Sequence, residues 1–223
     1  YYIYRGFGFE SIAPEDGQMR YTVTGDKDFA AGWFTVEPVR VVDLAWHHWP
    51  AISVMASFDY GDYLRTVAIA KFSPVMEKVI AHANSGGLVL GICNGFQILA
   101  NLGLVPAFDT TYTREIALMP NRKGVLECRF VTLRPASENL WTRGISHLYC
   151  PVSHGEGNFS CSEDTLQHLE EKHMIAFTYC RDDMSPACGE YPYNPNGSVA
   201  DIAAITSEDG KVLGMMPHPE RAM

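Results

Sequence analysis

The sequence predicts an α/β fold: a doubly wound, mostly parallel sheet with antiparallel strands added. Three observations predict it. In the first half, short apolar runs of strand length, led by Gly87-Leu88-Val89-Leu90-Gly91-Ile92, alternate with segments of helical spacing. In the second half, alternating patterns and the turn signal Ser207-Glu208-Asp209-Gly210 add antiparallel strands. The third is composition: 47% hydrophobic and 19% charged residues in a chain of 223 supply one core. No repeat, low-complexity tract or Ser/Gly linker divides the chain, so a single domain over 1–223 is expected.

The elements follow in order. Residues 1–4 read as a short β-rich run ending at Gly6 and Gly8, while Gly17, Gly25 and Gly32 break any long helix in the next stretch. Residues 39–44 and 51–56 read as strands. Trp46-His47-His48-Trp49 falls between them; adjacent histidines in an extended stretch point opposite ways, so it reads as a strand end rather than a metal pair. Ser73-Pro74 opens the clearest helix, Ser as N-cap and Pro at N1, with Val75, Met76, Val79, Ile80 and Ala83 at helical spacing and Gly86-Gly87 as its stop. A continuous apolar strand over 88–92 follows at once, then a helix over about 94–102 ending at Gly103. Residues 124–133 alternate as a half-buried strand does, and 147–152 is another strand candidate. Ser162 caps a helix to about Lys172, followed by a strand over 174–179. Residues 202–205 and 212–216 flank the hairpin turn.

Charge and cysteine content narrow the function classes. Lys+Arg total 17 and Asp+Glu 26, a net charge of 17 − 26 = −9, with no basic run to hold a nucleic acid or an anionic membrane. No stretch approaches the roughly 18 consecutive apolar residues of a bilayer helix. No signal-peptide pattern is visible, although the chain starts at Tyr1 without a methionine. The six cysteines (Cys93, Cys128, Cys150, Cys161, Cys180, Cys188) form no C-x-x-C pair, which speaks against a zinc ribbon, a thioredoxin-like motif or a disulfide scaffold. The expectation is a soluble cytoplasmic protein in a reducing compartment.

Cys93 stands apart from the other five. Gly91-Ile92-Cys93-Asn94-Gly95 is a G-x-C-x-G element between the most apolar strand and a helix, the cysteine form of a nucleophile elbow. A sharp strand-to-helix turn strains the central residue, and glycines two positions either side remove Cβ atoms that would collide there. The helix N-terminus beyond Cys93 favours a thiolate. The N–H of Asn94 lies where it can donate to an oxyanion formed at Cys93. The alternative is a small buried hydrophobe, the commonest fate of a cysteine.

The segment Gly87-Leu88-Val89-Leu90-Gly91-Ile92-Cys93-Asn94-Gly95-Phe96-Gln97-Ile98-Leu99 resembles the nucleophile segment of class I (triad) glutamine amidotransferases. Within that family it most resembles the glutaminase subunits of phosphoribosylformylglycinamidine synthases, of purine biosynthesis. Further segments support the resemblance in the same order: Phe58-Asp59-Tyr60-Gly61-Asp62-Tyr63-Leu64-Arg65, Pro151-Val152-Ser153-His154-Gly155-Glu156-Gly157-Asn158-Phe159, Asn194-Pro195-Asn196-Gly197-Ser198 and Met215-Met216-Pro217-His218-Pro219-Glu220-Arg221. The likeness runs from Phe58 to the end.

The resemblance implies a flavodoxin-like, class I amidotransferase architecture and a Cys–His–Glu triad at Cys93, His218 and Glu220. Pro217 and Pro219 bracket His218 and keep it out of a helix, so an extended segment puts His218 and Glu220 on one side. It implies substrate-binding roles for Gln97, Ser153 and His154, the latter two toward the α-amino and α-carboxylate groups of glutamine, partly through backbone. The implied chemistry is acyl transfer through a γ-glutamyl thioester. Ammonia then passes to a synthetase subunit that aminates formylglycinamide ribonucleotide. No cofactor is expected in this chain; ATP and magnesium are expected on the synthetase, and the absence of a G-x-x-x-x-G-K-[ST] loop fits this. Glutamine, the synthetase subunit and a small accessory subunit are the implied partners; no metal is expected at the site.

The sequence departs from the family in places. Pro-Gly-Gly is usual before the position of Phe58, where this chain reads Met55-Ala56-Ser57. Ser57 therefore takes the place of the second backbone oxyanion donor beside Asn94. Asp59 stands where serine is usual, Glu10-Ser11 near the family's Asn-Cys, and relatives continue past the position of Met223 into a last helix. Two alternatives stay open here: a catalytically impaired scaffold subunit of the same complex, and a stand-alone γ-glutamyl hydrolase.

Overall fold

The computed structural model of the chain describes residues 76–109 and 113–222 with their side chains. It also describes the backbone of Pro74, Val75 and five earlier strands. Those strands are β1 (Tyr2–Tyr4), β2 (Phe9–Ile12), β3 (Arg20–Val23), β4 (Trp33–Thr35) and β5 (Ala51–Met55). Helix α1 (Pro74–Asn84), β6 (Leu88–Ile92) and α2 (Asn94–Asn101) come next. They are followed by β7 (Ile116–Met119), β8 (Glu127–Pro135), β9 (Leu148–His154) and β10 (Asn158–Cys161). The chain continues with α3 (Glu163–Glu171), β11 (Ile175–Cys180), β12 (Ile202–Thr206) and β13 (Val212–Met215).

Eight strands form one sheet in the order β1-β5-β6-β13-β12-β11-β8-β9, with β2-β3-β4 and β7-β10 as smaller antiparallel sheets. The α/β class expected from the sequence holds, and the balance of strand directions differs from the expectation. Among the described strands only β5–β6 and β6–β13 pair in parallel; the other pairings of the large sheet are antiparallel. The reason is connectivity. β12 and β13 are joined by the tight turn at Ser207–Gly210, closed by a 2.9 Å bond from Gly210 N to Ser207 O, and a turn that short joins only antiparallel strands.

The local signals placed most elements. Strand β6 and helix α2 follow the predicted bounds closely, and Gly103 (φ 71°) stops α2. Ser162 caps α3 by accepting from Thr165 N at 3.1 Å, and Lys172 closes it. β8 begins later than its alternation suggested, because Gly124 (φ 67°) closes a turn on Asn121 instead. The strand expected over 39–44, the Trp46–Trp49 stretch, and the residues from Ala56 through Arg65, Ser57 included, lie outside the described residues.

Two facing glycines set the height of α2 above the sheet. Gly91 of β6 pairs with Gly214 of β13. A Cβ on Gly91 would lie 2.4 Å from Leu99 and 2.9 Å from the Gly95 backbone; one on Gly214 would lie 2.1 Å from the Phe96 ring. Phe96 and Leu99, both from α2, fill that space and are fully buried. Burial of each contributes about 1.5–3 kcal/mol. The same continuous core takes in Val89, Val131, Leu133, Phe177, Tyr179 and Ile205.

Candidate active site

The site grows from the end of β6. Cys93 sits at the corner between β6 and α2 with φ 53° and ψ −112°, a conformation rare for any residue with a side chain. Two backbone bonds hold it there: Cys93 N donates to Met215 O at 2.8 Å, and Cys93 O accepts from Gln97 N at 3.2 Å. The thiol is 5% exposed, with Sγ 4.0 Å from the carbonyl oxygen of Ser153. Asn94 opens α2, where amide N–H groups lack intrahelical partners; it is buried, and its Oδ1 has no hydrogen-bond partner.

His218 arrives by the adjacent strand. Ile92 and Met215 are register partners in the parallel β6–β13 ladder, and His218 lies three residues beyond Met215. Its N–H donates to Pro151 O at 2.8 Å. Thus β9 receives His218 at residue 151 and the Cys93 thiol at residue 153, roughly 7 Å apart along one strand. The buried His218 ring has Nδ1 2.7 Å from Glu220 Oε1, while Nε2 has no protein partner. A carboxylate on Nδ1 fixes that nitrogen as the protonated one and leaves Nε2 as a base. Arg221 Nε lies 3.7 Å from the same Glu220 oxygen.

The local backbone here differs from the expected extended segment. Pro219–Arg221 form one turn of 3-10 helix, with Arg221 N donating to His218 O at 3.1 Å. Proline is compatible with the first position of such a turn, since its missing N–H would be unpaired there. His218 and Glu220 therefore meet across a turn rather than by alternation along a strand.

Gln97 is fully buried one helical turn after Cys93. Its Nε2 donates to Glu156 O at 2.9 Å, leaving Oε1 without a partner. Ser153 is half-buried beside Cys93 through its carbonyl. His154 is 0% exposed and packs on Gly157, where a Cβ would lie 2.2 Å from the ring; neither ring nitrogen has a partner. Burial, and then the charge of His218, push His154 down to about 3. The structure thus brings Cys93, Asn94, Gln97, Ser153, His218 and Glu220 around the end of β6. It seats the His154 ring in the packing behind the 154–157 loop. Ser57 lies outside the described residues.

The remaining cysteines lack this setting. Burial, assisted by Glu220, pushes the Cys150 thiol up to about 12, and burial raises Cys161 and Cys180 as well. Cys128 and Cys188 are exposed. Among the described residues no cluster of three His, Cys, Asp or Glu side chains could hold a metal ion, and no helix is long and apolar enough to cross a membrane.

Sequence reasoning assigned no role to the asparagines behind the site, although residues 194–198 are among those that carry the resemblance. Asn121 bonds to His154, Gly155 and Gly157. Asn196 Nδ2 donates to Gly157 O at 3.1 Å and to the Tyr179 hydroxyl at 2.9 Å. Asn194 ties Gly197, Ser198 and Asp201 together. The available signal was the Asn121…Gly124 spacing, the first and last residues of a tight turn.

Comparison with known proteins adds three findings. A family model for the CobB/CobQ-like glutamine amidotransferase domain matches residues 47–223. The chain is 44% identical over 198 residues to the phosphoribosylformylglycinamidine synthase subunit PurQ of Synechocystis sp., covering 83% of this chain and 81% of that protein. The structure of PurLQS from Thermotoga maritima superposes with a TM-score of 0.60 at 30% identity, over 78% of this chain and 70% of that one.

Proposed function

This chain belongs to the CobB/CobQ-like glutamine amidotransferase family, and from that membership we propose that it is the glutaminase subunit of a phosphoribosylformylglycinamidine synthase. It hydrolyses glutamine to glutamate and ammonia for an ATP-dependent carbon–nitrogen ligase of purine biosynthesis. It works in complex with a synthetase subunit, as the names of its relatives indicate for them. One observation carries the reading: Cys93 and His218 leave neighbouring parallel strands onto the same stretch of β9, with Glu220 on Nδ1 of the imidazole.

The mechanism follows from those groups. His218 Nε2 takes the Cys93 thiol proton, and the thiolate attacks the side-chain amide carbon of glutamine. The tetrahedral oxyanion accepts from the N–H of Asn94 and, in this reading, the N–H of Ser57. The imidazolium, steadied by Glu220, gives its proton to the departing nitrogen, and the C–N bond breaks to release ammonia. A γ-glutamyl thioester remains. Water deprotonated by His218 attacks it, and the C–S bond breaks to return the thiol and glutamate. Ser153 and the backbone at His154 hold the α-amino and α-carboxylate groups in this reading, with Gln97 beside the substrate.

The rest of the reading concerns the assembly. The chain acts as one domain without a cofactor of its own. ATP and magnesium belong to the synthetase, which uses the ammonia to convert formylglycinamide ribonucleotide to formylglycinamidine ribonucleotide. A small accessory subunit completes the complex, in the cytoplasm. The test is glutamate release from glutamine by the purified chain mixed with its synthetase subunit. No glutamate above a Cys93→Ala control sinks the proposal. Glutamate released at full rate without the synthetase favours a free-standing γ-glutamyl hydrolase.

A further inference from the structure

We propose that Asn121 is a positioning residue for glutamine recognition: its buried carboxamide spans both ends of the loop between β9 and β10 and so sets the orientation of Gln97 beside the nucleophile.

Asn121 precedes β8 and is 2% exposed. Its Nδ2 donates to His154 O at 2.7 Å and to Val125 O at 2.9 Å, and its Oδ1 accepts from Gly157 N at 3.0 Å. Its own N–H donates to Gly155 O at 2.8 Å. Both amide hydrogens and the carbonyl oxygen are thus in use, a set that no other side chain of this size can supply. His154 is the last residue of β9, and Gly157 immediately precedes β10. One side chain therefore closes the loop from 154 to 157 in place of a strand pairing.

That loop is the scaffold for Gln97. The Glu156 carbonyl, between the two clamped ends, accepts from Gln97 Nε2 at 2.9 Å. The bond assigns the nitrogen and presents the unpartnered Oε1 as a buried acceptor. Ser153 O, next to the Cys93 thiol, immediately precedes the clamped His154. If the loop shifts, the acceptor of Gln97 shifts with it. An Asn121→Ala chain loses all three side-chain bonds. Asn121→Asp keeps the acceptor for Gly157 and loses both donors.

The inference rests on the glutaminase reading, so the experiment separates the two. Cys93 is labelled in the chain–synthetase complex by two reagents. One is iodoacetamide, which needs only the thiol. The other is a glutamine-shaped amino acid carrying a γ-side-chain diazoketone, which needs the amino-acid subsite as well. The ratio of the two labelling rates reports recognition apart from thiol reactivity. Asn121→Ala should lower that ratio about tenfold, as expected for roughly one lost positioning interaction, with the iodoacetamide rate within about twofold of wild type. Asn121→Asp should behave alike, and serves if the alanine variant does not fold.

Thr142→Val is the control for stability. Thr142 is a buried hydrogen-bond hub bonded to Ser137 O at 2.7 Å, at the opposite end of the β8–β9 hairpin from the Glu127–His154 pair. It should lower Tm and leave the ratio unchanged. A wild-type ratio showing no preference for the amino acid overturns the glutaminase reading and this inference with it. A preserved preference in both Asn121 variants overturns this inference alone.

Discussion

The amide of Cys93 donates to the carbonyl of Met215 at 2.8 Å, one step beyond the last paired residues of the β6–β13 ladder. The bond fastens the Cys93 corner to the strand that leads to His218. Because the two strands run in parallel, both leave the sheet at their carboxyl ends, where open α/β sheets place their sites.

The strain at Cys93 makes a first prediction. Cys93→Ala and Cys93→Gly should both lose glutaminase activity by about 10^4-fold or more. The glycine variant should nevertheless be the more stable, since φ 53° with ψ −112° suits only a residue without Cβ. A difference of about 1–2 kcal/mol, roughly 3–6 °C in Tm, is expected between them. Equal Tm values by differential scanning calorimetry would show that the corner is unstrained.

Glu220 holds the second. Replacing it by Gln keeps a hydrogen-bonding partner near His218 Nδ1 and removes the negative charge beside it, which on the proposed mechanism steadies the imidazolium. The turnover number should drop by about 10^2–10^4-fold while KM for glutamine changes little. Arg221→Ala is the contrast: its contact with Glu220 is half-exposed and 3.7 Å long, so its effect should stay within about threefold. Steady-state kinetics on both variants decides, and a loss confined to KM in Glu220→Gln goes against the assigned role.

The glycine pair beneath α2 makes the third. Gly91→Ala or Gly214→Ala introduces a methyl group where Leu99 or Phe96 already sits. Overpacking of this kind costs about 1–3 kcal/mol. It lifts α2, and with it the amide of Asn94 and the turn at Cys93, so activity should fall by about 10^2-fold even in the fully folded fraction. Denaturation curves and activity normalised to folded protein test this. A stability loss with unaltered specific activity contradicts it.

Acid should weaken the fold through His154. Its folded value lies near 3, below the ordinary value of 6.5, because burial disfavours the charged ring. Between those two values the unfolded chain binds a proton that the folded chain refuses. The contribution is therefore complete above about pH 6.5 and is lost as pH falls toward 3, at up to about 1.4 kcal/mol per pH unit. His82, also held below its ordinary value by burial, acts in the same direction. Going from pH 7 to pH 5, wild type should lose about 2 kcal/mol more stability in urea than His154→Gln does. Equal losses in the two proteins would falsify the assignment.

The parts legible in the sequence are those whose causes are local. The corner at Cys93 announced itself through an apolar run, glycines at 91 and 95 and a stop at Gly103, all within a dozen residues. The α3 cap needed only Ser162 and its neighbour three residues on, and the β12–β13 turn only Ser207–Gly210. What stayed hidden depends on distant partners. β7 and β10 pair across some forty residues of chain, and neither carries a signal for the other. Val125 and Leu126 continue the alternation of β8, yet they are 53% and 60% exposed because the Asn121–Gly124 turn carries them outside the sheet. Asn121 carries no local signal beyond a turn, since its partners lie at 154, 155 and 157.

The place of β13 in the sheet has a consequence for synthesis. It is the last of the described strands to leave the ribosome, yet it lies between β6 and β12. Until it inserts, β6 has an unfilled edge, the Cys93 amide lacks its acceptor, and His218 and Glu220 are not yet in place. A chain that has not reached β13 carries Cys93 without His218 and Glu220. The Cys93–His218–Glu220 arrangement therefore arrives in one step, with the strand that fills the space between β6 and β12.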